Sequence, residues 1–185
     1  MKPRISKQGA ASARQAGLTL IEVLVAIVVL AVGLLGVAGL QLTALKNGQQ
    51  SYTRSQASSL AYEIADRMRA NRIQAGLGAY VVNGTPTATP ATPTSGVNCS
   101  SAACTPAQLA QADVAAWYTN LQNALPGGAG RIYCGTPGSV SATCAAGQLQ
   151  TVEVIWDEQR SGATNADCST VDATHLTCFR VSFAP

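Results

Sequence analysis

A single carboxylate, that of Glu22, lies inside the most apolar stretch of this chain. Glu22 is the only charged residue among the 23 residues from Leu18 to Leu40. As a helix, this run would cover about 34 Å at roughly 1.5 Å per residue, enough to cross a bilayer. An ionised side chain in such a span costs on the order of 2.5–3.5 kcal/mol on insertion scales. We therefore expect Glu22 to be functional, because a partner group of opposite charge in the same apolar layer would neutralise it.

The segment that precedes this run is cationic. Residues 1–17 contain no acidic residue and four basic ones, namely Lys2, Arg4, Lys7 and Arg14. Only Lys46 and Arg54 follow the run closely, so the positive-inside rule predicts a cytoplasmic N-terminus. The rest of the chain is then expected on the opposite, non-cytoplasmic side of the membrane.

The junction between the two segments has a distinctive sequence. Ala16-Gly17 is followed by Leu-Thr-Leu-Ile-Glu-Val-Leu, residues 18–24, which resembles the class III signal of type IV prepilins and pseudopilins. The resemblance implies that a prepilin peptidase cleaves after Gly17 and methylates the new amino terminus at Leu18. Glu22 matches the invariant glutamate of that family, which implies a role in docking between subunits. Many members begin the mature chain with phenylalanine, and leucine is a mild departure.

Two other interpretations fit a basic segment followed by an apolar one. A secretory signal peptide could be cleaved after Ala38, within Gly36-Val37-Ala38, and would leave a secreted domain. However, the apolar run is longer than the usual 7–15-residue core of such signals, and a plain signal gives no reason for Glu22. The other alternative is an uncleaved anchor in which Glu22 lies near the interface by chance.

Within the pilin-like group, the chain is most similar to minor pilins of the PilV type. The resemblance rests on Gly17–Ala26, on Ala31–Gly36 and on Ile64–Arg72, with weaker matches at Trp156-Asp157 and Cys178–Arg180. It implies a minor pilin that primes assembly of a type IV pilus and belongs to a tip complex for adhesion and twitching motility. The implied partners are prepilin peptidase, other minor and major pilins, the inner membrane and a tip adhesin. A type II secretion pseudopilin, or a tip module that binds surfaces or captures DNA, are alternatives.

The charge balance argues against a nucleic-acid partner. The whole chain has 12 basic and 9 acidic residues, a formal net charge of +3. Removal of residues 1–17 takes away four cations and leaves a net charge of −1. A strongly basic surface, the usual electrostatic feature of nucleic-acid binding, is therefore not expected.

All of the cysteines follow the membrane segment. Six cysteines in an exported chain predict disulfides, for which fifteen connectivities exist. Pairing of sequence neighbours would close three short loops, whereas a zinc site would lack Cys-x-x-Cys spacing and would have only His175 as a histidine ligand. The six candidates are Cys99, Cys104, Cys134, Cys144, Cys168 and Cys178.

Residues suited to catalysis are scarce. A Ser-His-Asp arrangement would have to use His175, which lies near a predicted strand without a glycine-flanked serine, and no glycine-rich phosphate loop is present. Asp157 and Glu158 follow a predicted strand and are more typical of a turn than of an acid–base pair. We expect no enzyme, no cofactor and no metal.

The elements that must position these residues follow from periodicity. A broken apolar stripe and the pairs Glu63–Arg67 and Asp66–Arg69 predict one helix from about Thr19 to Arg72. Thr105 and Pro106 predict the start of a second helix containing Trp117 as a core residue. Three strands are predicted at 131–133, 151–157 and 176–183, the last two antiparallel.

These elements predict an α+β, pilin-like fold, in which a long N-terminal helix packs on a small antiparallel sheet. The predicted organisation is a cleaved leader at 1–17, a transmembrane half-helix at 18–40, a periplasmic half-helix at 41–72 and a disulfide-containing globular domain at 73–185.

Overall fold

The computed structural model describes residues 19–82, 96–136, 141, 144–145, 147–166, 168 and 175–184. The chain divides into two compact units, residues 1–46 and 47–185, and each is described by itself. The described residues form three helices and a three-stranded antiparallel sheet, which confirms the predicted α+β class. The elements are α1 Leu20–Ala70, α2 Arg72–Gly76, α3 Pro106–Ala124, β1 Ala129–Cys134, β2 Gln150–Trp156 and β3 Thr177–Phe183.

The first helix ends slightly earlier than predicted. Helix α1 stops at Ala70, and the chain leaves the helical region at Asn71 (φ −115°, ψ 45°) before the short helix α2 begins. The side-chain amide of Asn71 donates to the carbonyl oxygen of Pro106 at 2.8 Å and to the hydroxyl of Tyr80 at 3.3 Å. The break therefore comes from tertiary hydrogen bonds, which periodicity along the chain does not report.

Helix α3 begins where its capping signal predicted. The amide of Gln108 donates to Thr105 Oγ1 at 3.3 Å, and the amide of Thr105 donates to Gln108 Oε1 at 2.9 Å. This capping box satisfies two amide donors that the first helical turn leaves without partners. Pro106 occupies the first helical position, where its missing N–H costs nothing.

The sheet has the strand order β1-β2-β3. The first strand is longer than the predicted 131–133, and the predicted pairing of the last two strands is confirmed. The face formed by Val152, Val154 and Trp156 packs on α1 and α3, with Phe179 and Val181 beside it. This alternation matches the prediction, because successive side chains of a strand point to opposite faces.

The main core of residues 47–185 lies between the helices and that face of the sheet. Trp117 of α3 is fully buried, as predicted, and its Nε1 donates to the carbonyl oxygen of Leu60 on α1 at 2.9 Å. Helix α1 contributes a stripe of small and apolar side chains, which are Ala57, Leu60, Ala61, Ile64, Ala65 and Met68. A smaller cluster covers the opposite face of the sheet and contains Ile155, Ala166 and Leu176.

The structure pairs the cysteines with their sequence neighbours. The bonded pairs are Cys99–Cys104, Cys134–Cys144 and Cys168–Cys178, with Cα–Cα distances of 5.4, 5.3 and 5.7 Å. Of the fifteen connectivities open to the sequence, this is the one that closes three short loops. The third bond joins the segment after Gly162 to strand β3.

Candidate functional site

The first unit presents Glu22 in the first turn of α1. The amide of Glu22 donates to the carbonyl oxygen of Thr19 at 3.0 Å and lies 3.4 Å from its hydroxyl oxygen. An acidic side chain near a helix N-terminus is favoured by the helix dipole. The carboxylate therefore has a defined position on the helix and faces outward, since residues 19–46 are exposed within their unit.

The side chains around Glu22 are large and apolar. Leu20, Ile21 and Leu24 are all exposed, Leu20 to 92%. Among the described residues, α1 is the one helix that is long and apolar enough to cross a membrane. A stretch of 18 residues in it has a mean hydropathy of 2.9, and none of that stretch is buried. Such a surface is unfavourable in water and suits lipid or other apolar helices. The geometry thus supports the expected membrane-spanning segment around the lone acid.

Two of the predicted processing residues, Gly17 and Leu18, lie outside the described residues, as does the leader 1–17. Their roles as cleavage and methylation positions therefore stay predictions. The described chain begins at Thr19, one residue after the predicted mature terminus. Of the three predicted site residues in this region, Gly17, Leu18 and Glu22, the described part of the chain contains only Glu22.

In the second unit, the segment Ile64–Arg72 connects α1 to the rest of the fold. The predicted pairs are confirmed: Arg67 lies 2.6 Å from Glu63 and Arg69 lies 2.6 Å from Asp66. Arg67 also reaches Asp113 of α3 at 3.0 Å. Side chains of this segment therefore join two helices, which gives these residues a structural role.

Tyr80 completes this junction. Its hydroxyl donates to Asp113 Oδ2 at 2.9 Å and accepts from the Asn71 amide. The pKa of Tyr80 is raised to about 12, chiefly because the phenol is buried. The Asn71 hydrogen bond lowers this pKa, and the adjacent Asp113 carboxylate raises it. The phenol is thus held neutral as a donor between two helices.

The second face of the sheet carries a row of charged side chains that sequence analysis missed. Glu153 of β2 is directly opposite Arg131 of β1 and Arg180 of β3. Its Oε2 lies 3.0 Å from Arg131 Nη1, and its Oε1 lies 2.5 Å from Arg180 Nε. Arg131 and Glu153 are fully buried, and Arg131 also donates to the carbonyl oxygen of Ala166 at 2.8 Å. Each of the three strands contains a single charged residue, and this was the signal that could have indicated a charged row across the sheet.

The cysteines near this row do not supply metal ligands. Possible donor atoms of Glu153, Cys168 and Cys178 lie within 4.8 Å of one another. However, the two sulfur atoms are bonded to each other in the structure. A metal would need thiolates at these positions, so the arrangement acts as a crosslink over the charged row.

Comparison with known protein families agrees with the geometry of the N-terminal region. Residues 12–38 match the family model for the prokaryotic N-terminal methylation motif, and residues 39–115 match the model described as type IV pilin Tt1218. No curated protein and no solved structure matches the chain.

The two matches agree with the resemblance found in the sequence at the level of type IV pilins. The methylation motif implies processing by prepilin peptidase and assembly with other pilins, and the apolar first helix indicates membrane anchoring.

Proposed function

We propose that this chain is a type IV pilin and, within that family, a minor pilin of the PilV type, which primes assembly of a type IV pilus and belongs to its tip complex. The observation that carries the proposal is the methylation motif at 12–38, which contains one acidic residue, Glu22, on an exposed apolar helix. The similarity of residues 64–72 to PilV-type minor pilins supports the finer assignment. In this role the protein would contribute to adhesion and twitching motility.

The first proposed step is removal of the leader. Cleavage after Gly17 leaves Leu18 as an amino terminus four positions before Glu22. Residues 18–40 then anchor the chain in the inner membrane, the periplasmic half of α1 follows and ends at Ala70, and residues 73–185 form the disulfide-containing domain.

The second proposed step is docking of one subunit against another. The Glu22 carboxylate pairs with the positively charged amine of a neighbouring subunit, both within the apolar layer. Opposite charges attract strongly in a low dielectric, and either charge left alone there is costly. The pairing therefore sets the stagger between subunits, and a subunit without the acid fits poorly.

Processing is tested by mass spectrometry of the mature amino terminus. We expect a peptide that begins with N-methylated Leu18, and a retained leader when Gly17 is replaced by a bulkier residue. A mature terminus at Gly39 would instead identify a secretory signal and would overturn the proposal.

Docking is tested by Glu22→Gln, which keeps the shape of the side chain and removes its charge. We expect normal levels in the membrane but at least tenfold less protein in sheared pili. Val23→Ala, a neighbouring change that retains the acid, should enter pili normally. Recovery of Glu22→Gln at the wild-type level would contradict the docking role. Loss of protein secretion without loss of pili in a deletion strain would identify a type II secretion pseudopilin.

A further inference from the structure

Strand β3 is the terminal strand of the described sheet. It runs for seven residues from Thr177 to Phe183 and contains neither proline nor a bulge. Edge strands offer a row of backbone donors and acceptors for another strand. A proline or a bulge commonly blocks the addition of such a strand, and β3 contains neither.

The hydrogen bonds of β1 show which backbone groups of β3 point outward. Ile132 exchanges two backbone hydrogen bonds with Val82, both 2.9 Å, on the side of β1 away from β2. Because antiparallel pairs alternate, Arg131 and not Ile132 exchanges hydrogen bonds with Glu153 of β2. The even-numbered residues of β2 therefore bond to β3.

The same alternation then applies to β3. Val152 and Val154 of β2 are opposite Val181 and Phe179, so the odd-numbered residues of β3 bond inward. The amide and carbonyl groups of the even-numbered residues point away from the sheet. These residues are Cys178, Arg180 and Ser182, and together they offer three donors and three acceptors along what we call the β3 edge.

The side chains beside this edge define the chemistry of a partner. The side chain of Arg180 is 34% exposed at the end of the charged row, and it shares the single carboxylate of Glu153 with Arg131. An added strand would place its own side chain next to Arg180. An acidic side chain there would extend the alternation of positive and negative groups, whereas a basic one would face a guanidinium group.

The other face of the edge is apolar. Phe179 is partly buried against Tyr62 of α1, with ring centroids 6.3 Å apart, and Tyr62 remains 50% exposed. Side chains that alternate with the acidic one would lie on this face. Apolar side chains are therefore favoured at those positions of a partner strand.

We propose that the β3 edge binds an extended segment of another protein as a fourth strand, with an acidic side chain beside Arg180 and apolar side chains toward Tyr62. A second copy of this chain is a poor occupant, because symmetric pairing about the centre of β3 places Arg180 opposite Arg180. The inference concerns residues 47–185 and is independent of the place of the chain in a filament.

The probe is a labelled peptide, Thr-Thr-Val-Glu-Val-Thr-Thr, with a twin in which lysine replaces glutamate. Binding to the full chain in detergent micelles is measured by fluorescence anisotropy, and its location by amide hydrogen exchange. We expect at least tenfold tighter binding of the glutamate peptide and slower exchange at Arg180 and Ser182. Arg180→Glu should reverse the preference between the two peptides.

A matched pair of variants tests the backbone contact itself. Ser182→Pro removes an outward amide, and both this change and Ser182→Ala remove the 2.7 Å contact of the Ser182 hydroxyl with Thr151. We expect Ser182→Pro to bind the glutamate peptide at least tenfold more weakly than Ser182→Ala does.

Three results of the binding measurements would overturn the proposal. They are equal affinities of the two Ser182 variants, equal affinities of the two peptides for the wild-type chain, and no binding at millimolar peptide. A further result is that the chain associates with itself, in a way that Ser182→Pro abolishes and Ser182→Ala keeps. That result would also overturn the proposal, because a second copy would then be the occupant of the β3 edge. None of these results bears on leader processing or on Glu22.

Discussion

The guanidinium group of Arg54 binds the carboxylate of Glu158 through two hydrogen bonds, although 104 positions separate these residues. Nε lies 2.7 Å from Oε1 and Nη2 lies 2.8 Å from Oε2. The Glu158 side chain is only 4% exposed, whereas that of Arg54 is 59% exposed. The hydrogen bonds and the charge of Glu158 raise the pKa of Arg54. This bidentate pair fastens helix α1 to the turn after β2.

Replacement of Arg54 should destabilise the domain more than replacement of other surface charges. Arg54→Ala leaves the nearly buried Glu158 carboxylate without its charged partner, which should lower the free energy of unfolding by about 1–2 kcal/mol. Asp66→Ala is the matched control, because its pair with Arg69 is exposed and contributes about 0.3–0.5 kcal/mol. Denaturant unfolding of the oxidised protein measures both, and equal losses would contradict the argument.

Gly130 is expected to tolerate no side chain. A Cβ at this position of β1 would overlap the Trp117 ring and would lie 2.9 Å from Leu121 Cδ1. The ring cannot move away easily, because it is buried and its Nε1 bonds to Leu60. Gly130→Ala should therefore lower the free energy of unfolding by about 1–3 kcal/mol.

Gly76→Ala is the control for this effect, since a Cβ at Gly76 meets no atom within 4 Å. We expect no loss, or a small gain from reduced freedom of the unfolded chain. Thermal unfolding of the two variants checks the contrast. A Gly130→Ala midpoint equal to that of Gly76→Ala would show that the helix α3 packing adapts.

The disulfides should differ in their contribution to stability. Cys168–Cys178 joins β3 to the segment whose Ala166 carbonyl accepts from buried Arg131. Its replacement by two serines should cost about 2–4 kcal/mol and should increase amide exchange at Arg131. Replacement of Cys99 and Cys104 should cost less, because that bond closes a loop of half the sequence separation.

Connectivity is checked independently by peptide mapping of the non-reduced protein. Recovery of the three neighbour-paired peptides is the expected result. A peptide that joins Cys134 or Cys144 to Cys168 or Cys178 would contradict the structure.

Stability should fall at alkaline pH as a result of Tyr80. Burial raises the pKa of Tyr80 to about 12 in the folded state, from 10.0. The unfolded chain therefore loses this proton first, so the stabilisation is complete below about pH 10 and is lost as the pH rises toward 12. Denaturant midpoints measured between pH 9 and 12 should fall for the wild type. Tyr80→Phe should fall less steeply, and equal slopes would count against the argument.

Much of the fold could be predicted from local patterns. The capping box at Thr105, the alternation of Val152, Val154 and Trp156, and the pairs of charges along α1 each depend on neighbours within a few positions. Strand and helix periodicities record which face is buried, so they also predicted the antiparallel partner of β3. The lone acid Glu22 was evident for the same reason, as a polar residue in a run where every other side chain fits lipid.

The charged contacts of the domain could not be predicted in the same way. Arg131, Glu153 and Glu158 looked like ordinary strand or turn residues, yet the first two are fully buried and the third is nearly so. A charge is tolerated in the interior only when an opposite charge and hydrogen bonds compensate for its lost hydration. Those partners come from other strands or from a helix up to 104 positions away. Local sequence therefore determined the elements and the membrane segment, and tertiary packing decided which charges could be buried, because desolvation depends on what surrounds a side chain in space.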